Sequence, residues 1–285
     1  MSFKNKTIAV IKIIRPVNVF ITFITIFLAG IICSVGQLLF GKIILASVSG
    51  AFVAAAGNVI NDYFDVEIDK INRPERVIPQ NLLTKKEALV FFAILKFFAF
   101  YLALQINKTT FLIVIVTSVL LFLYSFKLKH VALIGNVIVG LLTGMAFIYG
   151  AVAVGNWKAG IFPALFAFMV NLAREILKDI EDIEGDRKMG LLTFPIKFGI
   201  QQSIYVVSGI IILLVIFTTI PYFWGIYNIK YFIFVLIIVD SLFVYFIKEL
   251  IRSGTTINLR KLSNLLKINM LLGLTAIFLG SNISI

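Results

Sequence analysis

Long apolar stretches dominate this chain, and each is long enough to cross a lipid bilayer. A bilayer-spanning helix needs about 20 mostly apolar residues. Stretches of this kind occupy 13–34, 38–61, 87–105, 110–126, 131–154, 159–178, 201–221, 230–248 and 263–283. The absence of any stretch that alternates polar and apolar residues argues against a transmembrane β-barrel. We therefore predict an all-α membrane protein whose nine transmembrane helices form a bundle around a central cavity, as a single transmembrane domain over residues 1–285.

The distribution of basic residues predicts the orientation of these helices. With a cytoplasmic N-terminus, most of the 26 Lys and Arg residues fall in cytoplasmic segments, and the opposite side holds only Lys42, Lys108, Lys158 and Lys230. Cytoplasmic loops of membrane proteins carry such an excess of positive charge. We predict a multi-pass cell-membrane protein with cytoplasmic loops near 64–85 and 181–200 that cap a site. The first apolar run is a span rather than a signal peptide, because no small-residue cleavage site follows it.

The net charge of +12 fits a membrane protein better than a nucleic-acid-binding one. Basic residues at the cytoplasmic face are attracted to anionic lipid headgroups. The nine spans leave no room for a soluble basic module of the kind that binds DNA or RNA. The partners that we predict are therefore the membrane and anionic substrates, and no nucleic acid.

Acidic residues are concentrated in two short windows, 58–75 and 175–186, which hold all but three of the chain's 14 Asp and Glu residues. At about 100° per residue, the positions of Asn58, Asp62, Asp65 and Asp69 share one helical face. The second window repeats this spacing with Glu175, Asp179, Asp182 and Asp186. Glu67, Glu181 and Glu184 fall off these faces. The repeated spacing is also consistent with an internal duplication.

Carboxylates stacked on one face need neutralisation. Two unit charges about 4 Å apart repel by about 4 kcal/mol at an effective dielectric near 20. Such groups are protonated, paired with Lys or Arg, or bridged by a metal ion. Oxygen ligands without His or Cys favour Mg²⁺, or alternatively Mn²⁺. Because Mg²⁺ is usually held by few carboxylates together with substrate phosphates, two acidic faces near Lys and Arg predict a metal–diphosphate site.

Four sequence motifs resemble those of the UbiA-type intramembrane prenyltransferases. The pattern NDxxDxxxD occurs at 61–69, and DxxxD occurs at 182–186. The flanking stretches NRPERVIP at 72–79 and LTFPIKFG at 192–199 are also similar to stretches of that family. The resemblance covers essentially the whole chain, with the two acidic motifs in the family's order.

The resemblance implies transfer of a prenyl group from an allylic isoprenoid diphosphate. Mg²⁺ and basic residues stabilise the leaving diphosphate, and an apolar cavity protects the allylic cation from water. The implied metal ligands are Asn61, Asp62, Asp65, Asp69, Asp179, Asp182 and Asp186, and the implied catalytic residues are Asp65, Asp69, Asp182, Asp186, Lys129 and Tyr124. The implied phosphate-binding residues are Arg73, Arg76, Lys127, Lys197, Arg15 and Asn18. This sequence departs from the family's YxxxK spacing, because Lys127 lies three residues after Tyr124 and Lys129 lies five residues after it.

The stretch Ile14-Arg15-Pro16-Val17-Asn18 looks like the family's archaeal ether-lipid branch. This implies transfer of a geranylgeranyl group to the free hydroxyl of geranylgeranylglyceryl phosphate, a lipid-like acceptor whose phosphate would suit Arg15 and Asn18. One alternative is an aromatic acceptor of quinone biosynthesis. A second alternative is an ion-coupled transporter, although transporters place charged sites near the bilayer midplane rather than at one end of the helices.

Overall fold

The computed structural model describes residues 3–34, 36–188, 190–252 and 259–281. The described residues are helical apart from turns and one isolated parallel bridge that joins Val131 to Leu192. The helices are α1 (Phe3–Ile13), α2 (Pro16–Cys33), α3 (Phe40–Phe64), α4 (Val66–Asn72), α5 (Lys85–Ile106), α6 (Lys108–Phe126), α7 (Ile134–Ala153), α8 (Ile161–Glu181), α9 (Ile183–Lys188), α10 (Phe194–Phe198), α11 (Ile200–Phe223), α12 (Ile229–Phe234), α13 (Ser241–Arg252) and α14 (Leu259–Gly280).

Over the described ranges, nine helical segments are long and apolar enough to cross a membrane. They are α2, α3, α5, α6, α7, α8 with its preceding turn (Trp157–Glu181), α11, the continuous segment Ile229–Arg252, and α14. This confirms the predicted all-α protein with nine spans, with ends that shift by a few residues. Positions 282 and 283 of the predicted last span lie outside the described residues.

The predicted first span, 13–34, is too long at its start. Arg15 adopts a left-handed backbone conformation (φ 54°, ψ 74°), and α2 begins at Pro16. A proline disfavours helical conformation in the residue before it and is well suited to the first turn of a new helix. The left-handed conformation of a non-glycine residue costs about 1–3 kcal/mol, so surrounding contacts must hold Arg15 in place. A separate helix, α1, precedes this turn.

The chain divides into two compact units, each built around one central helix. The first unit comprises Met1–Ser34, Leu38–Leu128 and Ala146–Lys158. Its central helix is α3, which packs against α2, α5 and α6. In the apolar segment of α3, 61% of the residues are buried, against 28% for α2 and 22% for α6.

Small residues allow the helices of the first unit to approach closely. Ser49 of α3 donates a hydrogen bond to the carbonyl oxygen of Ala99 in α5. A Cβ added at Gly150, in the last part of α7, would lie 2.6 Å from the carbonyl oxygen of Ile26 in α2. Such close backbone approach is typical of helix pairs in membranes.

The second unit comprises Val35–Gln37, Lys129–Met145 and Ala159–Ile285, with α8 at its centre. Helices α11 and α14 pack against α8. A buried core that includes Leu177, Ile211, Phe246 and Leu266 joins α8, α11, α13 and α14. The segment Val235–Asp240 between α12 and α13 forms a π-helix.

The two predicted loop regions contain short helices. Helix α4 lies within 64–85, whereas α9 and α10 lie within 181–200. After α4, a turn leads to α5, whose first residues are fixed by a capping box in which Thr84 and Glu87 exchange hydrogen bonds. Both loop regions therefore contain helical structure, and they follow directly after the acidic ends of α3 and α8.

Candidate active site

Each acidic motif lies where the central helix of its unit ends. Asp65 joins α3 to α4 with φ −84° and ψ 1°. Asp182 joins α8 to α9 with φ −93° and ψ 5°, nearly the same conformation. In both motifs the backbone hydrogen bond that follows the junction is kept, from Asp69 N to Asp65 O at 2.8 Å and from Asp186 N to Asp182 O at 3.0 Å. Each junction aspartate therefore lies at a bend in an otherwise continued helix.

In the first motif, two buried carboxylates are paired with arginines. Asp62 is 3% exposed and Asp69 is 4% exposed. Asp62 Oδ1 accepts hydrogen bonds from Arg15 Nη2 at 2.5 Å and from Arg76 Nη1 at 3.2 Å. Arg76 Nη1 also donates to Asp69 Oδ2 at 2.5 Å. These four residues, Arg15, Asp62, Arg76 and Asp69, form what we name the Arg–Asp chain. It neutralises carboxylates whose burial would otherwise be costly.

Asn61 and Asp65 form a second, less buried pair in the first motif. The amide Nδ2 of Asn61 donates to Asp65 Oδ2 at 2.9 Å. Both side chains are half-buried. Their amide and carboxylate oxygens are the ligand types that hard cations prefer.

The turn before α2 is tied to the same end of α3. Asn58 donates from Nδ2 to the carbonyl oxygen of Ile14 at 2.7 Å. The predicted phosphate-binding residues Asn18 and Arg73 are exposed, whereas Arg15 is half-buried in the Arg–Asp chain. The structure thus brings Arg15 to the first motif through Asp62.

In the second motif, the carboxylates differ in their surroundings. Asp179 accepts a hydrogen bond from Asn136 Nδ2 of α7 at 2.8 Å. Asp182 is exposed, and Asp186 is half-buried. Burial raises the pKa of Asp186, and the negative charge of Asp182 raises it further. A cation held by both groups would relieve this repulsion.

Glu175 is the counterpart of Asn58 in the second motif, but it makes different contacts. Its carboxylate is paired with Arg174 at 3.0 Å and with Lys178 at 3.1 Å. The Nε of Arg174 is buried without a hydrogen-bond partner among the described residues. This end of α8 therefore carries both signs of charge.

The remaining predicted basic and aromatic residues lie at helix ends. Tyr124 is half-buried in the last turn of α6, which Lys127 follows as an exposed residue. Lys129 is half-buried in the 3₁₀ turn Leu128–His130. Lys197 of α10 is exposed, with its ammonium 5.2 Å from the ring centre of Phe198.

The acids that the helical pattern places off the two faces are exposed. They are Glu67, Glu181 and Glu184. Glu67 pairs with Lys70 at 2.9 Å, and this hydrogen bond lowers the pKa of the Glu67 carboxyl. These three residues serve as matched controls for the facing aspartates.

The chemistry of each motif, taken by itself, fits a divalent cation that is shared with a ligand. Among the described residues, no three His, Cys, Asp or Glu side chains form a complete metal-binding group. Mg²⁺ does not need one, because it usually keeps waters and phosphate oxygens beside one or two carboxylates. Asn61 with Asp65, and Asp182 with Asp186, each supply such a partial set of oxygen donors.

The sequence did not predict the partners of three of the motif carboxylates. It named Asp62, Asp69 and Asp179 as metal ligands and Arg15 and Arg76 as phosphate-binding residues, and the structure pairs these carboxylates with Arg15, Arg76 and Asn136. Asn136 gave no motif signal. Its one clue was a polar residue near the start of an apolar span.

Comparison with known proteins identifies the class of protein. The profile of the UbiA prenyltransferase family matches residues 20–271. A digeranylgeranylglyceryl phosphate synthase from Thermococcus kodakarensis is 39% identical over 281 residues, with 99% of each chain covered. One from Methanosphaera stadtmanae is 35% identical over 271 residues, covering 95% of this chain and 98% of the relative.

Comparison of this chain with solved structures gives similar proteins of the same kind. A structure of digeranylgeranylglyceryl phosphate synthase in membranes is 36% identical, with a TM-score of 0.87, and covers 97% of this chain and 98% of its own. A UbiA homologue from Archaeoglobus fulgidus, 18% identical and covering 94% of this chain and 99% of its own, shares the fold with a TM-score of 0.70.

These findings, together with nine apolar helices among the described residues, define a multi-pass membrane enzyme. The chain belongs to the UbiA prenyltransferase family. It is a prenyltransferase, and this outcome confirms the resemblance inferred from the acidic motifs and excludes the ion-coupled transporter as its interpretation.

Proposed function

We propose that this enzyme transfers a geranylgeranyl group from geranylgeranyl diphosphate to the free hydroxyl of geranylgeranylglyceryl phosphate. The observation that carries this proposal is the near full-length similarity, in both directions, to several archaeal digeranylgeranylglyceryl phosphate synthases. The product would be a lipid with two geranylgeranyl ether chains. By the positive-inside rule, the acidic motifs face the cytoplasm in this proposal.

We assign Mg²⁺ binding to Asn61, Asp65, Asp182 and Asp186. The support is their oxygen donors, their placement at the two helix bends, and the A. fulgidus homologue, which was solved bound to DMAPP and Mg²⁺. The ion would supply positive charge at the diphosphate that leaves. Asp62, Asp69 and Asp179, the other members of the predicted metal set, are held by protein partners.

Basic residues at the helix ends would bind the diphosphate oxygens. Arg73, Lys127 and Lys197 are exposed and Lys129 is half-buried, so their charged groups lie at the surface of the described helices. Tyr124, one turn before Lys127, is assigned to position the same diphosphate. Preorganised positive charge of this kind stabilises negative charge as it develops on a leaving group.

The proposed reaction balances without an additional oxidant or reductant. The bond between the allylic carbon and the diphosphate oxygen breaks, and its electron pair leaves with the diphosphate. The acceptor hydroxyl oxygen then forms a bond to the allylic carbon, and its proton is taken up by an oxygen of the released diphosphate. Apolar spans exclude water from this step, which limits hydrolysis of the allylic cation.

The test is a substrate comparison with purified enzyme in detergent. Geranylgeranyl diphosphate is supplied with either geranylgeranylglyceryl phosphate or 4-hydroxybenzoate, in the presence of Mg²⁺ or EDTA. We expect the ether lipid only with the glyceryl phosphate and only with Mg²⁺, measured by mass spectrometry. Transfer to hydroxybenzoate with none to the glyceryl phosphate would establish the aromatic-acceptor alternative instead.

A further inference from the structure

Asp240 is a buried acidic residue that belongs to neither acidic motif. It lies at the middle of the apolar segment Ile229–Arg252, where it ends the π-helix Val235–Asp240, and it is 5% exposed. Acidic residues inside membrane-spanning segments are costly and mark functional positions, and π-helical turns frequently do so as well. No described Lys or Arg is paired with Asp240, and its described side-chain partner is Thr218 of α11.

The hydroxyl of Thr218 has more neighbours than it has protons. Its Oγ1 lies 2.7 Å from the carbonyl oxygen of Val215, 3.1 Å from Asp240 Oδ1 and 3.2 Å from Asp240 Oδ2. A threonine hydroxyl carries one proton and two lone pairs. A hydroxyl that donates to an ionised carboxylate approaches it to about 2.5–2.7 Å, which is shorter than either contact with Asp240. The proton of Thr218 therefore goes to Val215, and a lone pair faces Asp240.

The other donors near Asp240 are also committed. Tyr231 of α12 is 1% exposed and donates its hydroxyl proton to the carbonyl oxygen of Thr218 at 2.7 Å. Asn269 of α14 is 2% exposed and donates from Nδ2 to the carbonyl oxygen of Val239 at 3.0 Å. An ionised carboxylate only accepts hydrogen bonds, so it would be buried against the lone pair of Thr218 at a high cost. A carboxylic acid supplies the proton that this contact needs.

We propose that Asp240 is a proton-binding site in the middle of this span, held as a neutral carboxylic acid that donates to Thr218 Oγ1. This hydrogen bond joins the π-helix to α11, while Asn269 joins the same π-helix to α14. Both α11 and α14 pack against α8, which carries the second acidic motif. The bound proton thus stabilises the helices on which that motif rests. The inference goes beyond the proposed transfer reaction, to which none of these residues is assigned.

Infrared spectroscopy tests the protonation state directly. Full-length protein in detergent near neutral pH is compared with Asp240→Asn, whose amide is neutral and has nearly the same shape. We expect the unmodified protein to show a carbonyl stretching band of a carboxylic acid, at higher frequency than the carboxylate bands, that Asp240→Asn lacks. If the two spectra show no such difference, Asp240 is ionised and the proposal is overturned.

Thr218→Val and its matched control Thr219→Val test the hydrogen bond. Each removes a hydroxyl of α11 that contacts a carbonyl oxygen three residues earlier, and the described contact with Asp240 belongs to Thr218. Thr218→Val should shift the acid band to higher frequency and lower the melting temperature by about 3 °C or more, because the buried acid loses its acceptor. Thr219→Val should leave the band in place and change the melting temperature by less than about 1 °C. Equal responses of the two variants overturn the proposal.

A change of salt separates a bound proton from a bound cation. The melting temperatures of the unmodified protein and of Asp240→Asn are measured in sodium chloride and in choline chloride. With a proton on Asp240, the two proteins should differ by less than about 2 °C in each salt, because the amide replaces one neutral donor with another. A larger difference, stabilisation by sodium that Asp240→Asn abolishes, or failure of Asp240→Asn to fold overturns the proposal.

Discussion

Asp65 and Asp182 each lie at the position where a long central helix bends into a short one. Asp65 is half-buried and Asp182 is exposed, in contrast to the buried Asp62 and Asp69. Neither junction residue therefore belongs to the buried core. Substitutions at these two positions report on chemistry more directly than on folding.

We expect Asp65→Ala and Asp182→Ala each to lower the rate of prenyl transfer by about a hundredfold or more, which corresponds to about 2.7 kcal/mol of transition-state stabilisation. The reason is the loss of an oxygen ligand for the metal that neutralises the diphosphate. The rate is measured as product formed by the purified enzyme at saturating substrate. Both variants should keep melting temperatures close to that of the unmodified protein, because neither position is buried.

Glu67→Ala and Glu184→Ala are the matched controls for this prediction. Each removes one exposed carboxylate from the same short motif, two residues from a junction aspartate. Transfer by these controls should stay within about twofold of normal, as expected for solvated surface charges. Near-normal turnover in both junction variants would remove Asp65 and Asp182 from the mechanism.

The sequence predicted the facing aspartates but not their partners. Carboxylates are rare in this apolar chain, so their spacing around a helix stands out from the sequence alone. Helical periodicity relates residues within one helix and carries no information about distant segments. Arg15 and Asp62 are separated by 47 positions, and Asn136 and Asp179 by 43, so these pairs exist only once the helices pack.

At the scale of elements, each acidic motif is carried by the most buried helix of its unit. Helix α3 is lined with small residues, including Ala46, Ser49, Gly50 and Ala56, that are buried against its neighbours. Close packing fixes a helix along its length and so fixes the position of its last turn. The bend at Asp65 therefore projects from a rigid base.

Close packing of α7 on α2 depends on Gly150. A Cβ at this position would meet Ile26 O at 2.6 Å and Ala29 Cβ at 2.8 Å. We expect Gly150→Ala to lower the free energy of unfolding by about 1–3 kcal/mol, because backbone atoms must move to make room. The measurement is the melting temperature of the purified protein in detergent.

The matched control for Gly150 is Gly209→Ala. Gly209 lies inside α11, and a Cβ there would meet nothing within 4 Å. This variant should be as stable as the unmodified protein or up to about 1 kcal/mol more stable, since alanine favours helix over glycine. Equal destabilisation by both substitutions would show that the close approach at Gly150 is not what limits stability.

The long spans were predictable as elements, and the short helices were not. An apolar run of about 20 residues has few alternatives to a transmembrane helix. Helices α1, α4, α9 and α10 have 11 or fewer residues, and helices this short are marginal without tertiary contacts. The π-helix Val235–Asp240 also gave no signal, because it lies within a continuous apolar run.

At the scale of the whole molecule, the number of spans and the charge of their connections together predict the topology. If all nine apolar helices of the described residues cross the membrane in turn, the residues before α2 and those after α14 lie on opposite sides. With the N-terminus in the cytoplasm, the segment after α8 is cytoplasmic and the turn before α8 is on the other side.

Cysteine labelling tests this topology. Glu184→Cys and Trp157→Cys introduce thiols at two exposed positions that the prediction assigns to opposite sides. The natural Cys33 is buried and should give little background. In inverted vesicles a membrane-impermeant maleimide should label Glu184→Cys, and in right-side-out vesicles it should label Trp157→Cys. Labelling of both positions from one side would contradict the predicted orientation.

The same bend occurs at Asp65 and again at Asp182, so a given substitution can be compared at two similar positions of one enzyme. The same residue type in nearly the same backbone conformation occurs once beside the Arg–Asp chain and once in solvent. Any difference in how the two positions respond to a given replacement, to ionic strength or to a change of divalent cation therefore measures the surroundings rather than the local geometry.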